Sequence, residues 1–171
     1  MKRRDFVKQL GYGSLAMGTG GLLAACGKQE TATQLEPRPQ EQSFEWKMVT
    51  TWPKNFPGLG TSANKLAELI TEMSGGRLQV KVYGANELVP AFEVFDAVSR
   101  GTAEIGHGAA YYWKGKSEAA QFFSTVPFGM TAQEMNGWLY HGDGLQLWRE
   151  LYQQFGLIPA PAGNTGVQMG G

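Results

Sequence analysis

The sequence has few of the residues from which catalytic and metal centres are usually built. Its 171 residues include a single cysteine, Cys26, and only two histidines, His107 and His141. One cysteine excludes an intramolecular disulfide, and a metal cage of cysteines and histidines is not expected. The sequence also lacks the Gly-x-Ser-x-Gly elbow, the phosphate-loop lysine motif and the dinucleotide glycine spacing. No set of nucleophile, base and oxyanion donors can be assembled from it, so we do not expect an enzyme.

Neither sign of charge dominates the chain, whose formal net charge is +0. The first 25 residues hold four basic side chains and one acidic side chain, and the rest of the chain holds 11 basic and 14 acidic residues. The mildly acidic chain after residue 25 has no excess of positive charge to attract a polyanion, so nucleic acid is not an expected partner.

The N-terminal residues 1–26 read as an export signal. A basic start is followed by an apolar run over residues 10–25, which at 16 residues is shorter than the roughly 20 that span a bilayer. Arg3 and Arg4 lie in a stretch that resembles the bacterial twin-arginine signal. An ordinary secretory signal that contains two arginines is the alternative.

Cys26 ends the stretch Leu-Ala-Ala-Cys, which is similar to the lipobox of bacterial lipoproteins. Lipidation of Cys26 would tether the protein to a membrane without spanning it, and plain cleavage beside an incidental cysteine is the alternative. Residues 27–43 have almost no large apolar side chains and are predicted to be a flexible tether. We therefore expect a periplasmic protein with a lipid anchor.

Residues 44–171 are predicted to form an α/β lobe. Two segments of alternating apolar residues, two segments with apolar residues at helical spacing and a short strand of small residues give the order β-α-β-α-β, and a longer helical stretch follows. This order favours three layers and a largely parallel sheet. Ligands of such sheets bind beyond the carboxyl ends of the strands, where residues 52–60, 111–113 and 164–171 are expected. The predicted strands are 44–52, 78–82 and 103–109, and the predicted helices are 61–73, 91–100 and 132–155.

Both histidines have alternative interpretations. His141 and Asp143 could share a proton or a metal, but residues two apart on a helix point to different faces, and a structural histidine is the other interpretation. His107 lies in a strand of small residues and could face a ligand or be a satisfied core histidine.

The aromatic cluster of Tyr111, Tyr112 and Trp113 also has two interpretations. It could pack in the core, or it could form a pocket wall whose indole and phenol groups orient a small polar ligand. Lys114 and Lys116 could attract an anion or simply be solvated.

Taken together, several stretches resemble the solute-binding (DctP-type) subunit of tripartite ATP-independent periplasmic (TRAP) transporters. Within that family the chain is most similar to the branch that binds 2-oxo and 2-hydroxy monocarboxylic acids such as pyruvate or lactate. The stretches are residues 87–90 (ELVP), 96–105 (DAVSRGTAEI), 111–112 (YY), 115–116 (GK), 126–128 (VPF), 138–142 (WLYHG) and 163–171 (GNTGVQMGG).

The resemblance implies a periplasmic binding protein-like fold in which two lobes close over a small organic acid and deliver it to membrane permease subunits. It implies that sodium or calcium bridges the ligand, with Gln168 supplying an amide oxygen to the cation and Asn164 bonding the acid or the cation shell. Trp113 stands where some relatives have a ligand-contacting tyrosine, and an indole can donate a hydrogen bond but not accept one.

Family members continue past the position of Gly171 into a second lobe, so we expect this sequence to carry one incomplete lobe and half of a site. Pairing with a second copy is left open. The alternatives to a solute-binding subunit are a lipid-anchored enzyme that uses His141 and Asp143, or a gene fragment without function.

Overall fold

The computed structural model describes residues 42–166, which form a parallel sheet with helices on both faces. The strands are β1 (Phe44–Thr50), β2 (Leu78–Tyr83) and β3 (Ile105–His107). The helices are α1 (Leu59–Met73), α2 (Val94–Ser99), α3 (Ala132–His141) and α4 (Gly144–Gln153). Short 3-10 helices lie at Ala91–Glu93, Ala110–Trp113 and Glu118–Phe123.

The strand β1 lies at the centre of the sheet, in the order β2-β1-β3. Both pairings are parallel, and Met48 of β1 is the register partner of Val82 on one side and Ile105 on the other. Parallel neighbours need crossover connections, which α1 and α2 supply. The α/β fold expected from the order of elements is therefore confirmed.

Side chains that alternate along β1 separate two apolar layers. Met48 packs in a cluster with Ala63 and Ala67 of α1, whereas Val49 belongs to the larger cluster that contains Phe95 and Trp113. Since successive side chains of a strand point to opposite faces, α1 covers one face of the sheet and α2 and α4 cover the other. The result is the expected three-layer arrangement.

The predicted continuous helix over residues 132–155 is wrong, because the chain forms two helices there. The helix α3 ends at His141, and Asp143 adopts a left-handed conformation (φ 63°) before α4 begins. The ring of Trp138 packs over the break, since a Cβ on Gly144 would lie 2.7 Å from that ring. Only glycine leaves room for the indole at this point.

An aromatic stack joins the two helices across their break. Phe123 is stacked on Trp138 and on Trp148, with ring centroids 5.6 and 5.4 Å apart. The 3-10 helix that carries Phe123 therefore ties α3 to α4. Within residues 42–166 no helix is both long and apolar enough to cross a bilayer.

Candidate functional site

The strands β1 and β3 end side by side. Their last paired residues are Thr50 and His107, and just beyond them the N–H of Thr51 donates a hydrogen bond to the carbonyl oxygen of His107 at 3.1 Å. Ligands of open α/β sheets bind outside the carboxyl ends of parallel strands. This edge is therefore the candidate site, and both of the strands that form it were predicted.

Two glycines pack closely against the backbone of the loop that follows β1. A Cβ on Gly60, in the first turn of α1, would collide with the carbonyl oxygen of Pro53, and a Cβ on Gly84 would lie 2.6 Å from the backbone nitrogen of Lys54. The carbonyl oxygen of Trp52 accepts a hydrogen bond from the N–H of Ala85 at 2.9 Å. The start of α1 and the exit of β2 thus fix the backbone that presents Trp52 at the edge.

His107 and Trp52 form a buried pair on the α1 side of this edge. Their rings meet edge to face, with centroids 5.0 Å apart and planes at 82°. Burial of the imidazole lowers the pKa of His107, so the neutral form is favoured at neutral pH. Neither His107 Nδ1 nor Trp52 Nε1 has a hydrogen-bond partner among the described residues. His107 is therefore buried as expected of a core histidine, but its Nδ1 lacks a hydrogen-bond partner among the described residues.

Trp113 lies on the opposite side of the edge, where it is buried in the larger core cluster. Its ring is 5.5 Å from that of Phe95. A Cβ on Gly108 would lie 3.2 Å from Trp113 Cζ2 and 2.8 Å from Thr51 Cγ2. The indole and Thr51 thus pack together over Gly108. Core packing is one of the two roles expected of Trp113, and contact with a ligand stays a prediction.

The lysines beside the aromatic cluster differ in their surroundings. Lys116 Nζ donates to both carboxylate oxygens of Asp96, at 2.8 and 2.7 Å. This pair ties the loop after Trp113 to α2. Both lysines are exposed, and because Lys116 is already paired, it is less suited than Lys114 to capture an anion.

The alternative centre at His141 and Asp143 is not assembled. His141 ends α3 and is exposed. Asp143 lines a broad groove of about 830 Å³ along α4, and His141 is not among the residues that line it. Within residues 42–166 there is no group of three His, Cys, Asp or Glu side chains that could hold a metal ion. No hydrogen bond or ion pair among residues 42–166 joins His141 to Asp143.

The remaining predicted site residues lie near or beyond the limits of the described chain. Asn164 is exposed, and its Oδ1 accepts a hydrogen bond from the N–H of Gly166 at 3.1 Å. No hydrogen bond among residues 42–166 joins Asn164 to Trp113. Gln168, together with Cys26 and the two signal arginines Arg3 and Arg4, lies outside the described residues.

Thr51 is the residue of this edge that sequence reasoning missed. Its Oγ1 is buried and has no hydrogen-bond partner among the described residues. The available signal was a polar residue immediately after a buried apolar strand, at the edge where ligands bind. That signal is weak in the sequence, because only the structure shows that β3 ends beside Thr51.

Comparisons with known proteins agree on one family. The family model described as bacterial extracellular solute-binding protein, family 7 (DctP), matches residues 48–171. A monocarboxylate 2-oxoacid-binding periplasmic protein of Nostoc sp. strain PCC 7120 is 40% identical over the whole of this chain, which covers 45% of that relative.

Two solved structures of TRAP periplasmic solute-binding proteins are also similar. One, from Pseudoalteromonas atlantica T6c, holds sodium and pyruvate and is 46% identical, with a TM-score of 0.73 over 75% of this chain and 39% of that one. The other, from Colwellia psychrerythraea, holds calcium and pyruvate and is 43% identical, with the same TM-score and the same coverage. The chain thus spans less than half the length of these relatives.

Proposed function

Because this chain belongs to the bacterial extracellular solute-binding protein family 7, we propose that it acts as the solute-binding subunit of a TRAP transporter. Its ligand is a small 2-oxo or 2-hydroxy monocarboxylic acid such as pyruvate or lactate. The acid is captured outside the cytoplasm and passed to membrane permease subunits for uptake driven by an ion gradient. This role requires no catalytic centre.

The observation that carries the proposal is the polar edge formed by the adjacent ends of β1 and β3. This edge lies within residues 48–171, which the family model matches, and a structure that holds sodium and pyruvate is 46% identical over 75% of this chain. Thr51, Trp52 and His107 place buried hydrogen-bonding atoms there, and Trp113 packs beside Thr51. Apolar surroundings with a few polar groups are the usual composition of a small-molecule site, and here the polar atoms lie on both sides of the edge.

The residues present fit a sodium or calcium ion that bridges the acid. Amide and carbonyl oxygens suit hard cations. The side-chain oxygen Oδ1 of Asn164 accepts a hydrogen bond from the N–H of Gly166 and keeps a second lone pair. Since residues 42–166 offer no cluster of acidic or histidine ligands, we propose that the amide oxygen of Gln168 binds the cation and that Asn164 bonds the acid or the cation shell. The bound cation would then offset the negative charge of the acid.

The proposal is tested by titrating pyruvate and lactate calorimetrically into two proteins, in the presence of sodium, calcium or a potassium control. One is this chain. The other is a chimera in which Gly171 is followed by the part of the Pseudoalteromonas atlantica protein that this chain does not cover. Because closure of two lobes over a ligand buries both sides of it, the chimera should bind more tightly than the chain alone. Absence of heat with every short organic acid, in both proteins and all three salts, would overturn the proposal.

Matched glutamine variants test the cation. Replacing Gln168 with Ala should weaken pyruvate binding and remove its dependence on sodium or calcium. The control is Gln146→Ala, because Gln146 is an exposed residue of α4 whose amide contacts only Glu150 in the described hydrogen bonds. An equal effect of the two variants would contradict a role for Gln168.

We also propose that Arg3 and Arg4 direct export by the twin-arginine route and that Cys26 receives a lipid. Radiolabelled palmitate should enter the wild-type protein in a bacterial host and should not enter the Cys26→Ser variant. Arg3→Lys combined with Arg4→Lys should leave the precursor in the cytoplasm. Normal export of that double variant would favour an ordinary secretory signal instead.

A further inference from the structure

Unpaired polar atoms are concentrated at one edge of the sheet. Among residues 42–166, five buried side-chain nitrogen or oxygen atoms have no hydrogen-bond partner, and three of them belong to Thr51, Trp52 and His107. All three residues follow or end the adjacent strands β1 and β3. Buried polar groups in native proteins are nearly always paired, so such a concentration points to partners outside residues 42–166.

Thr51 is the member of this group that faces the Trp113 side. Its Cγ2 and Oγ1 atoms lie 2.8 and 3.3 Å from the position that a Cβ on Gly108 would occupy, and Trp113 Cζ2 lies 3.2 Å from the same position. The hydroxyl and the indole therefore both lie close to Gly108, where a Cβ would crowd both side chains.

The chemistry of a threonine hydroxyl limits what it can recognise. It is uncharged, and it offers one donor and two acceptor lone pairs. A carboxylate is better matched by charged or paired donors, whereas a single hydroxyl is suited to a keto oxygen, to which it donates, or to an alcohol, with which it can donate or accept.

We propose that the Thr51 hydroxyl is a specificity-determining contact that recognises the uncharged oxygen on carbon 2 of the bound acid, beside Trp113. This inference rests on the proposed function, and it adds the group that distinguishes a 2-oxo or 2-hydroxy acid from the plain acid of the same length. Sites that hydrogen-bond a ligand oxygen reject the analogue without it, because their own polar atom is left unpaired.

The test compares pyruvate with propionate, which has the same number of carbons and no oxygen on carbon 2. Both acids are titrated calorimetrically into the chain and into the chimera described above. Thr51→Val, which keeps the shape and removes the hydroxyl, should weaken pyruvate binding about fivefold and leave propionate binding unchanged. Thr51→Ser, which keeps the hydroxyl, should retain pyruvate binding within about twofold of wild type. Thermal melting of each variant reports whether it folds, and Thr51→Ala replaces Thr51→Val if the valine variant does not.

The outcomes separate the inference from the function on which it rests. If wild-type protein binds no short acid, the proposed function fails and this inference fails with it. If wild-type protein binds pyruvate but the folded Thr51→Val variant loses affinity for neither acid, or for both equally, only the role of Thr51 is refuted. Loss of the preference for pyruvate over propionate in Thr51→Val, with rescue by Thr51→Ser, supports the inference.

Discussion

Replacing Met48 with Ala should be among the most damaging single changes to this fold. The Met48 side chain is fully buried, at 0% relative exposure, in the middle of the central strand. It packs against Ala63 and Ala67 of α1, and its register partners are Val82 and Ile105 on the two flanking strands.

The magnitude follows from what surrounds the side chain. Truncation of a buried methionine to alanine costs about 2–5 kcal/mol, and the cost rises with the volume of the cavity that remains. The facing residues Ala63 and Ala67 are too short to reach into that cavity, and strands pair with β1 on both sides. The site therefore collapses poorly, and we expect a loss of about 3–5 kcal/mol in the free energy of unfolding. That is a large part of the roughly 5–15 kcal/mol that stabilises a typical domain.

The assay is urea unfolding of the whole chain, followed by far-ultraviolet circular dichroism and tryptophan fluorescence. Met73→Ala is the matched control, because it makes the same chemical change at the end of α1, where the side chain is 85% exposed. The control should change stability by less than about 0.5 kcal/mol. A loss below about 1 kcal/mol for Met48→Ala, or equal losses for the two variants, would refute the reasoning.

Two further predictions concern the helix break and the buried histidine. Gly144→Ala should destabilise the protein by about 1–3 kcal/mol, because its Cβ would press on the Trp138 ring. Gly137→Ala, in α3 with nothing within 4 Å of its Cβ, should instead stabilise the protein by about 0.5–1 kcal/mol. Chemical denaturation of both variants measures the two changes, and destabilisation by both would contradict the prediction. Burial lowers the pKa of folded His107, so below about pH 6.5 the unfolded chain binds more protons than the folded chain, and the contribution of His107 to stability should be lost as the pH falls from there towards its folded pKa. His107→Asn should flatten this part of the stability profile between pH 5 and 8, and the exposed His141→Asn should not; an equal effect of the two substitutions would show that burial of His107 is not the cause.

Much of the fold could be predicted because local patterns and tertiary packing agree. The alternation in residues 44–52 and 78–82 and the helical spacing in residues 61–73 match β1, β2 and α1 closely. The glycine pair Gly75 and Gly76, both with positive φ, follows the end of α1 where the sequence suggested a stop. These elements have amphipathic faces that their own residues define, so the pattern is sufficient.

The helix break could not be predicted from periodicity. Apolar residues continue through 132–155 with helical spacing, and the interruption depends on the Trp138 ring lying over Gly142 and Gly144. That ring is held by its stack with Phe123, which comes from an earlier 3-10 helix. A contact between segments distant in sequence therefore overrides the local pattern.

The sequence by itself determined the order of strands and helices, the family, and the absence of a recognisable catalytic set, since each of these depends on residue types and their spacing. Only the tertiary structure decided which polar residues meet at the candidate site. Thr51 and His107 are 56 positions apart along the chain, because α1, β2 and α2 lie between β1 and β3. They become neighbours because β1 and β3 pair in parallel and end together, and this pairing is a property of the folded sheet.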